Sequence, residues 1–194
     1  GKSNDGLMIT LSNIRATGGG YLLAEGTGGR GNGKNLGTGI YSTTMISGNA
    51  LTSITGTASS LTTGLGNIGV DIQKNSKIEG ATLSLVGTGG RGTSRNVGVW
   101  VIGGSLKATA GTAAITGNAL SSTTGYNNIG VIIDNRVTVS GTGGIDILGT
   151  GGGGTKFNHG VMMQRSITAT GANVVGAKGS GSTSKDTFGD FFTI

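Results

Sequence analysis

Residues 54–72, ITGTASSLTTGLGNIGVDI, return nearly unchanged as residues 115–133, ITGNALSSTTGYNNIGVII, after an interval of about 61 residues. A second segment occurs three times at the same interval: LLAEGTGGRGNGKN from Leu22, SLVGTGGRGTSRN from Ser84 and DILGTGGGGTKFN from Asp146. Self-similarity at a fixed period is typical of proteins built from stacked copies of one unit. The sequence therefore predicts a repeat architecture, which presents an extended surface rather than a single reaction centre.

Each long unit divides into two halves of about 30 residues. The motif Asn-x-Gly-Val recurs once per half, at residues 67–70, 96–99, 128–131 and 158–161, with a looser copy from Asn35 and a degenerate one at residues 187–190. Short runs of β-branched residues lie between clusters of Gly, Asn, Ser and Thr, which indicates short strands joined by tight turns. We therefore predict about six coils of about 30 residues, each with three short strands.

Alternation along such strands places the aliphatic residues of each coil on one side. Three strands per coil, closed by turns, then enclose a triangular core that only neighbouring coils can bury. The sequence thus predicts an all-β fold, a right-handed parallel β-helix that forms a single domain over residues 1–194. Within it we expect a leading segment over residues 1–6, coils over residues 7–189 and a C-terminal cap or inter-subunit segment over residues 190–194.

The composition excludes several classes of protein. The chain has 43 Gly but no Pro, and its glycines lack a three-residue period, which excludes collagen. The absence of Cys excludes a disulfide framework and a thiolate metal site. No apolar run approaches the roughly 18 residues of a membrane span. The opening residues GKSNDG lack the apolar core of a signal peptide, so we expect neither a transmembrane segment nor a leader here.

One asparagine per coil falls at the same corner of the predicted tube. Stacked in register, these side-chain amides can hydrogen-bond to one another along the tube as a ladder. Asn also tolerates the left-handed backbone that a sharp corner requires. The predicted structural ladder consists of Asn35, Asn67, Asn96, Asn128 and Asn158.

The glycine corners and the Asn-x-Gly-Val steps resemble repeats of large bacterial surface proteins. The segments GTGGRG at Gly26 and Gly87, GTGGGG at Gly149, and the steps NIGV, NVGV and NHGV are similar to those of the filamentous-haemagglutinin and autotransporter adhesin type. This resemblance implies an extracellular or cell-surface β-solenoid that serves as a stalk, an adhesin or a matrix fibre. Because the terminal coils of a solenoid expose unpaired strand edges, we also expect self-association, end to end or lateral, or contact with neighbouring repeats of a longer chain.

Three surfaces of the predicted tube are candidates for contact with partners. A basic edge that could bind an anionic polysaccharide consists of Arg30, Lys34, Arg91, Arg95 and Lys156. An outward apolar row that favours protein contact consists of Tyr41, Trp100, Ile132 and Met162. The aromatic residues Phe188, Phe191 and Phe192 could close the tube or join a second copy end to end. The charge of +6 comes from sparse cations, so we do not expect nucleic-acid binding.

The sequence favours a protein without catalytic, cofactor-binding or metal-binding residues. GTGGRG fits a dinucleotide-binding loop, but no helical pattern follows it. The alternative is a polysaccharide-binding or polysaccharide-cleaving β-helix with Asp71, Trp100 and Asp134 in its cleft. His159 has no second histidine to share a metal with. A third reading, an ice-binding face, is disfavoured because Thr82, Thr112 and Thr138 keep no common register.

Overall fold

The computed structural model describes residues 3–120, 125–134, 137–164, 168–169, 175–180 and 190–192. These residues form seventeen β-strands and no helix. The strands are β1 (Leu7–Thr10), β2 (Asn13–Ala16), β3 (Leu22–Thr27), β4 (Leu36–Tyr41), β5 (Thr44–Ser47), β6 (Leu51–Thr57), β7 (Ile68–Gly80), β8 (Thr82–Thr88), β9 (Val97–Ala108), β10 (Ala113–Asn118), β11 (Ile129–Ile133), β12 (Val137–Gly141), β13 (Ile145–Thr150), β14 (Val161–Met163), β15 (Thr168–Ala169), β16 (Val175–Ser180) and β17 (Asp190–Phe192).

The strands lie in three files, here called walls, and every pairing within a wall is parallel. Wall 1 contains β1, β4, the first half of β7, the first half of β9, β11, β14 and β17. Wall 2 contains β2, β5, the second halves of β7 and β9, β12 and β15. Wall 3 contains β3, β6, β8, β10, β13 and β16. The prediction of an all-β parallel solenoid is therefore confirmed.

Wall 3 shows the stacking most regularly, because its six strands follow one another without a gap. The first and last strands of that wall, β3 and β16, are separated by about five turns of the chain. This agrees with the predicted repeat, while the right-handed sense of the coil stays a prediction. No helix in the described part of the chain is long and apolar enough to cross a membrane.

The core is a column of aliphatic side chains inside the three walls. Val70, Val99, Val131 and Val161 occupy one file of wall 1, in register from coil to coil, and all four are fully buried. Ile54, Leu85, Ile115 and Ile147 form the corresponding file of wall 3. Each coil covers the apolar faces of its neighbours, so the column is continuous along the tube.

The two recurrent glycine motifs meet where wall 3 approaches wall 1. The glycine that precedes Thr in each GTGG segment lies against the glycine of an Asn-x-Gly step, backbone to backbone. A Cβ atom built on Gly87 of a GTGG segment would lie 2.0 Å from the carbonyl oxygen of Gly98. Gly117, which takes the same place in the next coil without a GTGG segment, would bring a Cβ atom equally close, 2.0 Å, to the carbonyl oxygen of Gly130. Only glycine permits this approach. The GTGG corners are thus packing surfaces, which accounts for their resemblance to a nucleotide loop.

The C-terminal residues continue the stack. Strand β17 pairs in parallel with β14, with Phe191 opposite Met162 and Phe192 opposite Met163. Residues 190–192 therefore add a strand to wall 1, and a role of residues 190–194 as a cap or inter-subunit segment stays a prediction. Phe188 lies outside the described residues, and its proposed end-to-end contact stays a prediction.

We predict that Gly117→Ala destabilises the fold by about 1–3 kcal/mol or more, because the added methyl group overlaps a backbone carbonyl in the middle of the stack. Urea unfolding followed by circular dichroism measures the change. Gly48→Ala is the matched control, since a Cβ atom there meets nothing closer than 3.9 Å. Equal stability of the two variants would contradict the packing role of the glycine files.

Candidate functional site

The asparagines that precede each Gly-Val step form a hydrogen-bonded file at the start of wall 1. The Nδ2 atom of Asn35 donates to Oδ1 of Asn67 at 2.8 Å, and Nδ2 of Asn67 donates to Oδ1 of Asn96 at 2.9 Å. Nδ2 of Asn96 continues to Oδ1 of Asn128 at 2.8 Å. At the next step the backbone N–H of Asn128 donates to Oδ1 of Asn158 at 3.0 Å. All five side chains are fully buried.

Three of these amides, those of Asn35, Asn67 and Asn96, also hold the loop that precedes them. The Nδ2 atoms of Asn67 and Asn96 donate their second proton to the carbonyl oxygens of Gly64 and Gly92, at 3.2 Å and 2.9 Å. An amide group carries both donors and an acceptor, so identical side chains can bond in series and still satisfy a loop carbonyl. A carboxylate has no donor and could not take this place. The file therefore fixes the loops and the walls in one register.

The structure adds one member that the sequence analysis missed. The backbone N–H of Asn4 donates to Oδ1 of Asn35 at 3.0 Å, across 31 residues. Asn4 is not part of an Asn-x-Gly-Val motif, so the motif did not predict it as a member of the file. Its separation from Asn35 matches the steps of 29 to 32 residues in the rest of the file, and that spacing was the available signal.

Replacement of one buried ladder amide should cost about 1–3 kcal/mol, because its neighbours lose partners away from water. We expect Asn96→Ala to lower the free energy of unfolding by that amount in urea titrations. Asn118→Ala, in an exposed position one wall away, is the control and should change stability little. If both variants unfold at the same urea concentration, the amide file does not stabilise the stack.

The residue before each ladder asparagine has a left-handed backbone in four successive coils. The φ angles are +74° at Gly66, +55° at Arg95, +57° at Asn127 and +55° at Phe157. Glycine takes this conformation freely and asparagine takes it readily, whereas other residues pay roughly 1–2 kcal/mol. Arg95 and Phe157 are therefore strained at positions where another coil uses glycine.

A second apolar cluster lies on the outer side of wall 1. Asp71, Trp100, Ile132 and Met162 follow one another in register, as the predicted outward row requires. Tyr41 does not join that file, because Gly39 pairs with Asp71 and Tyr41 pairs with Gln73. It still packs against the cluster from a position two residues further along its strand. Whether this face contacts a partner stays a prediction.

The sequence analysis missed the buried half of this cluster. Leu36, Ile68, Val97 and Ile129 lie in register and are almost fully buried beside Trp100 and Ile132. They are the x residues of the Asn-x-Gly motif, and their aliphatic character in four copies was the signal.

The carboxylate of Asp71 is buried and accepts three hydrogen bonds. It accepts hydrogen bonds from Nζ of Lys34 at 2.9 Å, the Tyr41 hydroxyl at 2.7 Å and Nε2 of Gln73 at 2.7 Å. Burial, and then the charge of Asp71 and the hydrogen bond to it, raise the pKa of Tyr41 well above its ordinary value of 10.0. The Tyr41 hydroxyl therefore stays a neutral donor to Asp71, and Lys34 balances the carboxylate charge.

The suggested carboxylate pair does not share a file. Asp71 is in register with Trp100 and Ile132, and Asp134 lies two residues beyond Ile132. Both Asp71 oxygens already accept hydrogen bonds from Lys34, Tyr41 and Gln73, and a polysaccharide-cleaving role for this carboxylate stays a prediction. In the described ranges no three His, Cys, Asp or Glu side chains are grouped as metal ligands would be.

The predicted basic edge is exposed and runs along the loops between wall 3 and wall 1. Its members are Arg30, Lys34, Arg91, Arg95 and Lys156. Lys34 and Arg95 precede ladder asparagines two coils apart, and Lys34 is paired with Asp71. Lys156 lies opposite Tyr126, with its Nζ 5.5 Å from the centre of the Phe157 ring. The edge is thus a charged strip in which Lys156 lies beside an aromatic side chain.

The basic edge and the outer apolar cluster meet in a groove of about 360 Å³ on the outer side of β9, β11 and β14. Its apolar floor consists of Val97, Trp100, Ile129, Ile132 and Met162. Its other boundary contains the three left-handed residues Arg95, Asn127 and Phe157, together with the mostly buried His159. The groove therefore combines two aromatic rings, a guanidinium and an amide along about two strand spacings.

The outer side of wall 3 has a different character. Strands β6, β8 and β10 contain no charged residue. Thr82 lies on this wall but Thr138 pairs with Ser105 on wall 2, so those threonines share no file, as expected. Another file does have hydroxyl or amide groups in register on successive strands: Thr27, Thr57, Thr88, Asn118, Thr150 and Ser180. The sequence analysis considered Thr82, Thr112 and Thr138, and therefore did not predict this file.

Comparisons with known proteins give this chain no relative. No family model matches it, and no curated protein and no solved structure matches it either. The likeness to filamentous-haemagglutinin and autotransporter repeats therefore stays a prediction from the sequence.

Proposed function

We propose that this chain is a structural and adhesive β-solenoid, a stiff stalk or fibre-forming segment of an extracellular surface or matrix protein. The observation that carries the proposal is the unbroken in-register stack, in which core, glycine files and asparagine file all run along the same axis. Such a stack resists bending because each coil is bonded to its neighbours on three walls. It also displays its outer side chains at a fixed spacing of about 4.8 Å.

The edge strands support association through the stack itself. Strand β3 pairs only with β6, and β1 only with β4, among the described residues. The backbone groups on their other sides can accept another parallel strand. A further repeat, from a longer chain or a second copy, would extend all three walls at once.

An edge substitution tests this association. We expect the protein to form concentration-dependent end-to-end rods in negative-stain micrographs and in sedimentation velocity. Leu23→Lys, on the outer side of the edge strand β3, should shorten the rods, because charges on an edge oppose strand addition. Leu148→Lys, on the interior strand β13, is the control and should leave them unchanged. Single particles at every concentration would contradict the proposal.

The hydroxyl file on wall 3 favours a second candidate, binding of this wall to ordered water at an ice surface. The side-chain hydroxyl groups of Thr27, Thr57 and Thr88 make no hydrogen bond within the described residues and are at least partly exposed, so they are available to water. Uncharged neighbouring strands allow a flat surface to approach the file closely. The regular spacing of the hydroxyl groups comes from the parallel strands and needs no further ordering.

Thermal hysteresis measures that second candidate directly. Wild-type protein should depress the freezing point below the melting point, and Thr88→Lys should abolish the effect because a long charged side chain interrupts the file. Thr10→Lys, on the exposed side of wall 1, is the control and should retain it. No hysteresis in the wild-type protein would eliminate the ice-binding function and leave the structural proposal intact.

A further inference from the structure

The groove on wall 1 has the composition of a ligand site rather than of a solvated surface. Trp100 and Phe157 present aromatic rings, and Arg95 and Asn127 present donors along the same opening. We propose that this groove binds an acidic glycan, with a sugar ring against Trp100 and a carboxylate of the glycan at Arg95. The proposal goes beyond the structural function, since it requires no association of the solenoid.

The indole of Trp100 supplies the first argument. Its Nε1 atom is shielded from water and has no hydrogen-bond partner among the described residues. A buried donor without an acceptor is costly, and native proteins rarely keep one without a reason. Because Nε1 is shielded, a ligand cannot reach it while the indole keeps this position. A sugar can instead place its apolar face on the part of the indole that lines the groove.

Backbone strain supplies the second argument. The position before the ladder asparagine requires a positive φ, and Gly66 shows that glycine fills it without strain. The chain instead places Arg95 and Phe157 there, in the two coils on either side of Asn127, and all three line the groove. When strained residues persist at a cleft, their side chains are needed there for function, because folding alone would favour glycine.

The positive charges near the groove favour an acidic ligand. Arg95 makes no ion pair within the described residues, and Nζ of Lys156 lies 5.5 Å from the centre of the Phe157 ring, which lines the groove. The nearby carboxylate of Asp71 is already paired with Lys34. A second copy of this chain would bring the same cations to the groove and a charge of +6, which opposes lateral pairing here. A carboxylate-bearing saccharide matches both the cation and the aromatic rings.

The single tryptophan of the chain, Trp100, reports on the site directly. We expect trigalacturonate to change the tryptophan fluorescence saturably, and maltotriose, a neutral trisaccharide, to change it little at the same concentration. Sodium sulfate at matched ionic strength distinguishes glycan binding from a general response to anions. Calorimetry with trigalacturonate should give the same affinity as the fluorescence titration.

Two variants separate binding from folding. Arg95→Gly should weaken trigalacturonate binding at least about tenfold, because the charged hydrogen bond is lost. Its melting temperature should be equal or higher, since glycine relaxes the left-handed backbone. Arg91→Gly removes a cation of the same basic edge that does not line the groove, and it should keep wild-type affinity.

The remaining outcomes overturn the proposal in distinguishable ways. Equal binding of maltotriose, or full affinity in Arg95→Gly, would refute the acidic specificity. An equal response to sulfate would refute recognition of a sugar. A fluorescence change that depends on protein concentration alone would assign the groove to a second copy. No response to any probe would refute the glycan site, while rod formation would still decide the structural function independently.

Discussion

The close contact between two files of glycine is the constraint on which the rest of the structure depends. Where wall 3 approaches wall 1, Gly117 lies against Gly130 and Gly56 lies against Gly69, with no room for a Cβ atom. This contact sets the cross-section of the tube and repeats in each coil. Because the cross-section is constant, the aliphatic files and the asparagine file can remain in register along the axis.

The same repeat has a consequence for the outer surface. A residue type that recurs every coil becomes a row, and a residue that breaks the row becomes a local feature. The asparagine file is a row, buried and structural. Three residues differ from their counterparts in the other coils and line the same groove: Arg95, Trp100 and Phe157. Such departures distinguish one part of the tube from the rest, whereas the rows give every coil the same surface.

Much of this fold could be predicted because its determinants are local and periodic. The Asn-x-Gly-Val motif identified the corner, the inward valines and the asparagines, since each is repeated at the coil length. The register of Tyr41 could not be predicted, because only strand pairing shows that Gly39 is opposite Asp71. The network around Asp71 was equally hidden, since Lys34 and Asp71 are 37 residues apart and joined by a turn of the coil.

The sequence by itself determined the architecture of this protein: parallel strands, a coil of about 30 residues and a glycine-and-asparagine corner, because a periodic chain can bury its aliphatic residues only by stacking its copies. The tertiary structure alone decided which side chains share a surface. Residues on successive coils are about 30 positions apart in the chain but about 4.8 Å apart in space. The groove at Trp100 and the hydroxyl file of wall 3 therefore exist only once the coils are stacked.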